Sequence, residues 1–175
     1  MTVEDAHAPE ETVWSGKWIE AKRRGRWEYV TRARGIKAAV IVALGEGDVL
    51  LVEQFRVPLG RVCLELPAGL IGDEEAGESV ATGARRELEE ETGFRADSVE
   101  ELGLFYSSPG MTSECFTIVR ATGLTRVGEG GGDAQEDITV HLVPVEDVPA
   151  FISLKRSEGL GIDAKILLVL DAATM

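Results

Sequence analysis

Apolar residues alternate or run in short blocks along most of this chain, and their spacing predicts strands more often than helices. Residues 37–56, KAAVIVALGEGDVLLVEQFR, are two apolar runs around a Gly-Glu-Gly-Asp turn, the pattern of a β-hairpin. The stretch 14–34 alternates more loosely, carries all the tryptophans, and predicts two short strands with a turn near Gly25. VCLELPAG (62–69) predicts a strand that ends at Pro-Ala-Gly. SVEELGLFYSSPG and CFTIVRATGL predict two strands around an ordered loop, and ITVHLVPVE predicts another. Residues 79–92 have helical spacing, with Ser79 as N-cap and Gly93 as the stop. Two more helices are predicted at 146–158 and 163–173. Residues 1–13 read as a loose, disordered tail, and GEGGGDAQED (128–137) as the least compact loop. No repeat or long linker divides the chain. The expectation is one mixed α/β layered domain.

Charge narrows the partners. Eighteen basic residues against 31 acidic ones give a net charge of −13, which argues against nucleic acid or an anionic membrane as a partner. An anionic small substrate stays compatible if a divalent metal neutralises it locally. Cys63 and Cys115 lie in apolar surroundings and read as reduced core residues. The N-terminus is acidic, without the apolar segment of a signal peptide, and no apolar run has the length of a membrane span. A cytoplasmic location is expected.

The helix at 79–92 poses the chemical question. Its last turns carry Glu87, Glu89, Glu90 and Glu91, although the carboxyl end of a helix is its negative end. At about 100° per residue, Glu87 and Glu91 fall on the side of Val80, Ala84 and Leu88, with Glu90 flanking them. Arg85 and Glu89 face the other way. A solvated acidic helix with an Arg86–Glu90 pair accounts for Glu89, but not for carboxylates turned toward the core side. Carboxylates crowded at i, i+3 and i+4 raise their pKa or hold a cation. Oxygen ligands of this kind suit Mg²⁺ or Mn²⁺.

Gly72, Glu78, Arg86, Glu87, Leu88, Glu90, Glu91, Gly93 and Phe94 together resemble the Nudix box, Gly-x5-Glu-x7-Arg-Glu-U-x-Glu-Glu-x-Gly-U, at every defined position. The resemblance implies an α/β/α sandwich with a mixed β-sheet and an N-terminal antiparallel strand segment. It also implies metal-dependent hydrolysis of nucleoside diphosphates linked to another moiety. One departure concerns the box glycine. In the most similar members it ends a Pro-Ala-Gly strand, which here is Gly69. GLIGDEEAGES then reads as carrying a three-residue insertion, with Gly69 the structural equivalent and the match of Gly72 coincidental. By the same resemblance, residues 37–175 form the Nudix domain and 14–36 supply strands for dimerisation.

VEQFR, LELPAG, SPGMTSE with Pro109, and GIDAK resemble the ADP-ribose (ADP-sugar) pyrophosphatases, although EQFR also occurs in GDP-mannose enzymes. This resemblance implies ADP-ribose as substrate, AMP and ribose 5-phosphate as products, and a homodimer. A GDP-mannose or broader nucleotide-sugar hydrolase, or a Nudix protein that binds ADP-ribose without cleaving it, stay open as alternatives. The implied metal ligands for Mg²⁺, or Mn²⁺, are the Ala68 carbonyl, Glu87, Glu90 and Glu91. The implied catalytic residues are Glu136 as base, with Asp137 as runner-up, together with Glu90 and Arg86. The implied substrate contacts are Trp18, Trp27, Arg32, Arg56, Pro109 and Glu114. Trp18 and Trp27, one from each subunit, would sandwich the adenine. Ordinary packing for the tryptophans, ion pairs for the arginines, and a solvated loop position for Glu136 are the alternatives. Gly130, Gly131 and Gly132 would let their loop close over substrate.

Overall fold

The computed structural model of the chain describes residues 4–72, 77–132 and 136–171. Two sheets are present. Strands β1 (Glu10–Ser15), β2 (Ile19–Arg24) and β3 (Trp27–Arg32) form a small antiparallel sheet. The expected turn falls at Gly25, but the first strand begins inside the stretch expected to be loose. The reason is cross-strand charge. Glu10 and Glu11 face the Lys22-Arg23-Arg24 run, with Arg23–Glu11 at 2.6 Å and Arg24–Glu10 at 2.9 Å.

The large sheet begins with β4 (Lys37–Leu44) and β5 (Asp48–Arg56), the predicted hairpin. The two pair only at Leu44 and Val49 before they splay apart. β6 (Arg61–Glu65) and β10 (Thr139–Pro144) then pair with β5, while β7 (Ala68–Ile71) and β9 (Cys115–Arg126) pair with β4, the last in parallel. β8 (Phe94–Tyr106) lies beyond β9, and the two-residue β11 (Gly161–Ile162) runs parallel to β6. The strand expected over 62–69 is thus two strands. Pro67 has no N–H to donate, so the ladder breaks there, and its carbonyl accepts the Ile41 N–H instead.

The central strands bury both faces. Along β4, Val40 and Val42 join a core with Leu51, Leu64, Ile118 and the late α2 (Val148–Ser157). Ala39, Ile41 and Ala43 join the opposite core under α1 (Val80–Thr92), with Leu50, Ala84, Leu88 and Val119. Two cores on opposite faces of one mixed sheet make the expected α/β/α layering. Helix α1 starts at Ser79, whose side chain accepts the Thr82 N–H, and stops at left-handed Gly93, both as expected. The final segment differs. It is a 3-10 turn over Ala164–Asp171, started by the Ile166 N–H on the Asp163 carbonyl; residues 172 and 173 of that expected helix lie outside the described residues. Among the described residues, no helix is long and apolar enough to cross a membrane.

Leu88 is the fully buried residue that seats α1 on the sheet. Leu88→Ala should destabilise the protein by about 2–5 kcal/mol, read as a lower denaturation midpoint in urea. A loss below about 1 kcal/mol would mean that α1 is held mainly by its ends.

Candidate active site

The carboxyl end of α1 is closed by another part of the chain. The Gly93 N–H satisfies the Glu89 carbonyl, while Gly132 and Gly131 donate to the carbonyls of Glu90 (3.1 Å) and Glu91 (2.8 Å). This contact requires glycine: a Cβ on Gly130 would lie 2.4 Å from the Thr92 carbonyl carbon. The loop expected to serve as a hinge therefore has a structural duty in this state. Its glycines let it lie against the helix end, and it delivers the chain to Glu136.

The four glutamates separate as the wheel predicts. Glu89 turns away and pairs with Arg95 at 2.8 and 3.0 Å. Glu87 and Glu90 both contact Arg86 Nη1, at 3.0 and 3.1 Å. Glu91 is 5% exposed, and its Oε2 accepts the Ala68 N–H at 3.1 Å. Burial pushes the Glu91 carboxyl up to about 8. The Ala68 N–H and Arg56 work against that shift, and the charges of Glu87 and Glu136 add to it.

Arg86 is the hub of the helix. It reaches Glu78 (3.3 Å) and the Leu70 carbonyl (3.2 Å) besides Glu87 and Glu90. Burial opposes its charge, but Glu78, Glu87 and Glu90 together raise its pKa. Glu78 in turn accepts the Gly72 N–H at 3.3 Å, and Arg86 holds its carboxyl below the usual range. Gly72 has φ of +81°. That left-handed conformation gives the glycine at 72 a reason of its own, whichever of Gly69 and Gly72 is the box equivalent. The residues expected to carry the insertion include 73–76, outside the described residues. Gly69 has its own constraint. A Cβ there would sit 2.0 Å from the Glu87 carboxyl carbon.

These groups open on a cleft of about 720 Å³. Arg86, Glu87, Glu90 and Glu91 line it from α1, and Ala68 and Gly69 from β7. Gln54 and Arg56 of β5, Glu65 of β6 and Glu136 also line it. Gln54 Nε2 donates to Glu136 Oε1 at 3.2 Å. Arg56 forks onto buried Glu65 with Nε at 2.7 Å and Nη2 at 2.8 Å. Arg32 reaches the cleft from the small sheet and pairs with Glu114 at 2.5 Å. It is held there because Val30 exchanges backbone hydrogen bonds with Met111 and Ser113.

Of the expected substrate residues, Trp27 and Pro109 line a separate hollow of about 450 Å³ with Arg24, Tyr29 and Thr112. Trp18 lines neither; Lys17 and Arg34 lie 4.5 and 5.1 Å from its ring. Asp137 is exposed and does not line the cleft. Gln54, Glu65, Asp163 and Lys165 were missed. Gln54 and Glu65 did leave a signal, as polar residues following the apolar runs of β5 and β6 and yet buried. Among the described residues, no three carboxylate, histidine or cysteine side chains already stand at the spacing of a closed metal cage. The donor set nonetheless fits a hard divalent ion. Mg²⁺ takes only one or two protein carboxylates plus water and phosphate oxygens. Glu91, desolvated among other carboxylates, gains from any cation beside it.

Comparison with known proteins agrees with this geometry. The model of the NUDIX domain family matches residues 33–161. A putative nudix hydrolase 2 from Caenorhabditis elegans is 33% identical over 90% of this chain and 80% of its own length. An ADP-sugar pyrophosphatase from Mus musculus is 31% identical over 90% of this chain and 82% of its own. A solved ADP compounds hydrolase superimposes with a TM-score of 0.64 at 25% identity, covering 81% of this chain and 80% of that one.

The raised Glu91 pKa sets a pH dependence. The unfolded carboxyl ionises near 4.5, while the folded one keeps its proton to about 8. This group therefore makes the metal-free protein lose stability as pH rises from about 4.5 to about 8. Glu91→Gln should remove that slope. In the presence of chelator its Tm should exceed the wild-type value by a margin that grows from pH 5 to pH 8. Parallel Tm curves for the two proteins would show that Glu91 is ionised throughout.

Proposed function

The chain belongs to the Nudix family, and from that membership we propose that it is a divalent-metal-dependent pyrophosphatase that hydrolyses nucleoside-diphosphate sugars, ADP-ribose foremost, to AMP and ribose 5-phosphate. The observation that carries this reading is Glu91. It is a buried carboxylate with Glu87 and Glu136 in electrostatic reach, in a cleft that Arg32 and Arg56 also line. Glu87, Glu90, Glu91 and the Ala68 carbonyl would hold the ions, Mg²⁺ in preference to Mn²⁺. When bound, the ions supply charge neutralisation for the diphosphate and a more acidic water.

The remaining roles belong to the chain. Glu136, held by Gln54, takes the proton as the water oxygen bonds to phosphorus and the phosphorus–oxygen bond of the anhydride breaks. Arg56, with Nε and Nη2 on Glu65, keeps Nη1 for a phosphate oxygen. Arg32 keeps a buried Nε without a protein partner among the described residues, which suits a substrate acceptor. Arg86 holds the glutamates in register. Trp27, beside Pro109, and Trp18 offer faces for a base.

The homodimer belongs to this proposal. Trp14, Trp18 and Trp27 are 55%, 46% and 52% exposed on the small sheet, with Val13 and Ile19 exposed beside them. Such apolar exposure marks an interaction face. It would bring one Trp18 toward the partner's Trp27. Sedimentation should give twice 18.9 kDa; an active species at the monomer mass would refute the dimer. The reduced Cys63 and Cys115 suit a cytoplasmic site.

A panel of ADP-ribose, ADP-glucose and GDP-mannose, assayed with Mg²⁺, tests the activity. AMP release from ADP-ribose should be fastest. Faster GMP release would transfer the enzyme to guanine sugars, and no turnover would leave a binding protein. Glu91→Gln should lower kcat about 100-fold or more, because a lost ligand removes several kcal/mol of charge stabilisation. Glu89→Gln should change it little. Glu136→Gln should cost about 10²–10⁴ in kcat with little change in substrate affinity. If Asp137→Asn shows that loss and Glu136→Gln does not, the base is Asp137.

A further inference from the structure

Two charged side chains in the cleft have no part in the hydrolysis above. Asp163 and Lys165 line it alongside Pro58 and Leu59. Leu59, Glu65 and Asp163 also line an adjoining hollow of about 370 Å³ that reaches Arg61 and Gly161. The cleft thus continues past the carboxylates in a direction that involves none of the residues around Trp27.

Asp163 is firmly placed. Its N–H donates to the Leu64 carbonyl at 3.0 Å, which continues the β11–β6 pairing, and its own carbonyl accepts the Ile166 N–H. Its Oδ1 accepts the Lys165 N–H at 2.8 Å, so it caps the start of the last turn. Oδ2 holds Lys165 Nζ at 2.5 Å. Lys165 Nζ also lies 5.6 Å from the Phe116 ring centroid. Capping alone explains Asp163. It does not explain why a lysine is held on the cleft wall over an aromatic ring.

The charges of the pair cancel, and that decides its ligand. A diphosphate is better served by the metal carboxylates and by the arginines. A neutral ammonium–carboxylate pair suits a polyol, since the ammonium donates to one hydroxyl and the carboxylate accepts from its neighbour. Leu59, 60% exposed, offers apolar surface for the C–H face of a sugar. We propose that Asp163 and Lys165 form the subsite for the hydroxyl-bearing group beyond the diphosphate, and so determine which sugar is accepted. This rests on the nucleotide-sugar reading of the same cleft.

The test compares a ligand that has the distal group with one that lacks it. For Lys165→Met and Asp163→Asn, kcat/KM is measured with ADP-ribose, and Ki is measured for ADP as a competitive inhibitor. A site built to bond a hydroxyl loses discrimination steeply when a partner is removed, so kcat/KM for ADP-ribose should fall about tenfold or more in each variant. The Ki for ADP should stay within about twofold, because ADP never reaches the subsite. The ratio of ADP-ribose to ADP-glucose turnover should also change. Asp163→Asn can disturb the cap it makes, so Lys165→Met, which leaves every backbone bond in place, carries the decision. An equal loss toward ADP would make Lys165 a phosphate contact and overturn the proposal, as would unchanged kinetics. Wild-type protein that turns over no nucleotide sugar would instead sink the hydrolase reading itself.

Discussion

Everything in the site turns on the cost of keeping the Glu91 carboxylate out of water. Burial alone would keep it protonated near neutral pH, with Ala68 giving it one N–H and two other carboxylates within reach. The surrounding fold fixes that uncomfortable position rather than relieving it. Leu88 anchors the helix on the sheet, Gly69 lets the Glu87 carboxyl approach the β7 backbone, and the glycine loop seals the helix end. The strain has one chemical resolution that leaves the residue ionised, a cation. The site is then a place where folding leaves electrostatic energy for a metal to recover.

The cations around the cleft complete that logic. Arg56 is held by Glu65, Arg32 by Glu114, Lys165 by Asp163, and Arg86 by the glutamates of its own helix. Each positive group is fixed by an acidic neighbour, so little conformational freedom is left to lose when an anion arrives. The cost is a weak bare field for a polyanion in a protein of net charge −13. On the proposed reading, affinity for a diphosphate would come from the divalent ions, which would tie binding and chemistry to the same event.

Much of this was legible in the chain, and the failures have a common cause. The helix, its caps and the separation of Glu89 from Glu87, Glu90 and Glu91 follow from a local period of 3.6 residues, and local periods are readable. The hairpin at 37–56 was readable for the same reason. What escaped was decided between distant segments. The strand at Glu10–Ser15 exists because acidic side chains meet a basic run on its neighbour. The glycines at 130–132 look like a hinge in sequence, and only the approach to Thr92 gives them another purpose. Gln54 and Glu65 were visible as polar residues after apolar runs, but their partners, Glu136 and Arg56, are set by contacts between separate segments. Gly72 and Gly69 each satisfy a different contact, which no single motif position expresses.

The seal on the helix also imposes an order on manufacture. Glu90 and Glu91 are made halfway along the chain, but the amides that satisfy their carbonyls belong to Gly132 and Gly131, some forty residues later. β10, which follows directly, must then travel back to β5 across a separation of more than eighty residues. A nascent chain emerging from the ribosome at ~5–20 residues per second therefore carries an acidic helix with an open end for several seconds. During that interval the Glu90 and Glu91 carbonyls lack the amides that cover them in the folded chain. The acidic end of the helix therefore reaches its final surroundings only once Gly131, Gly132 and β10 have been made.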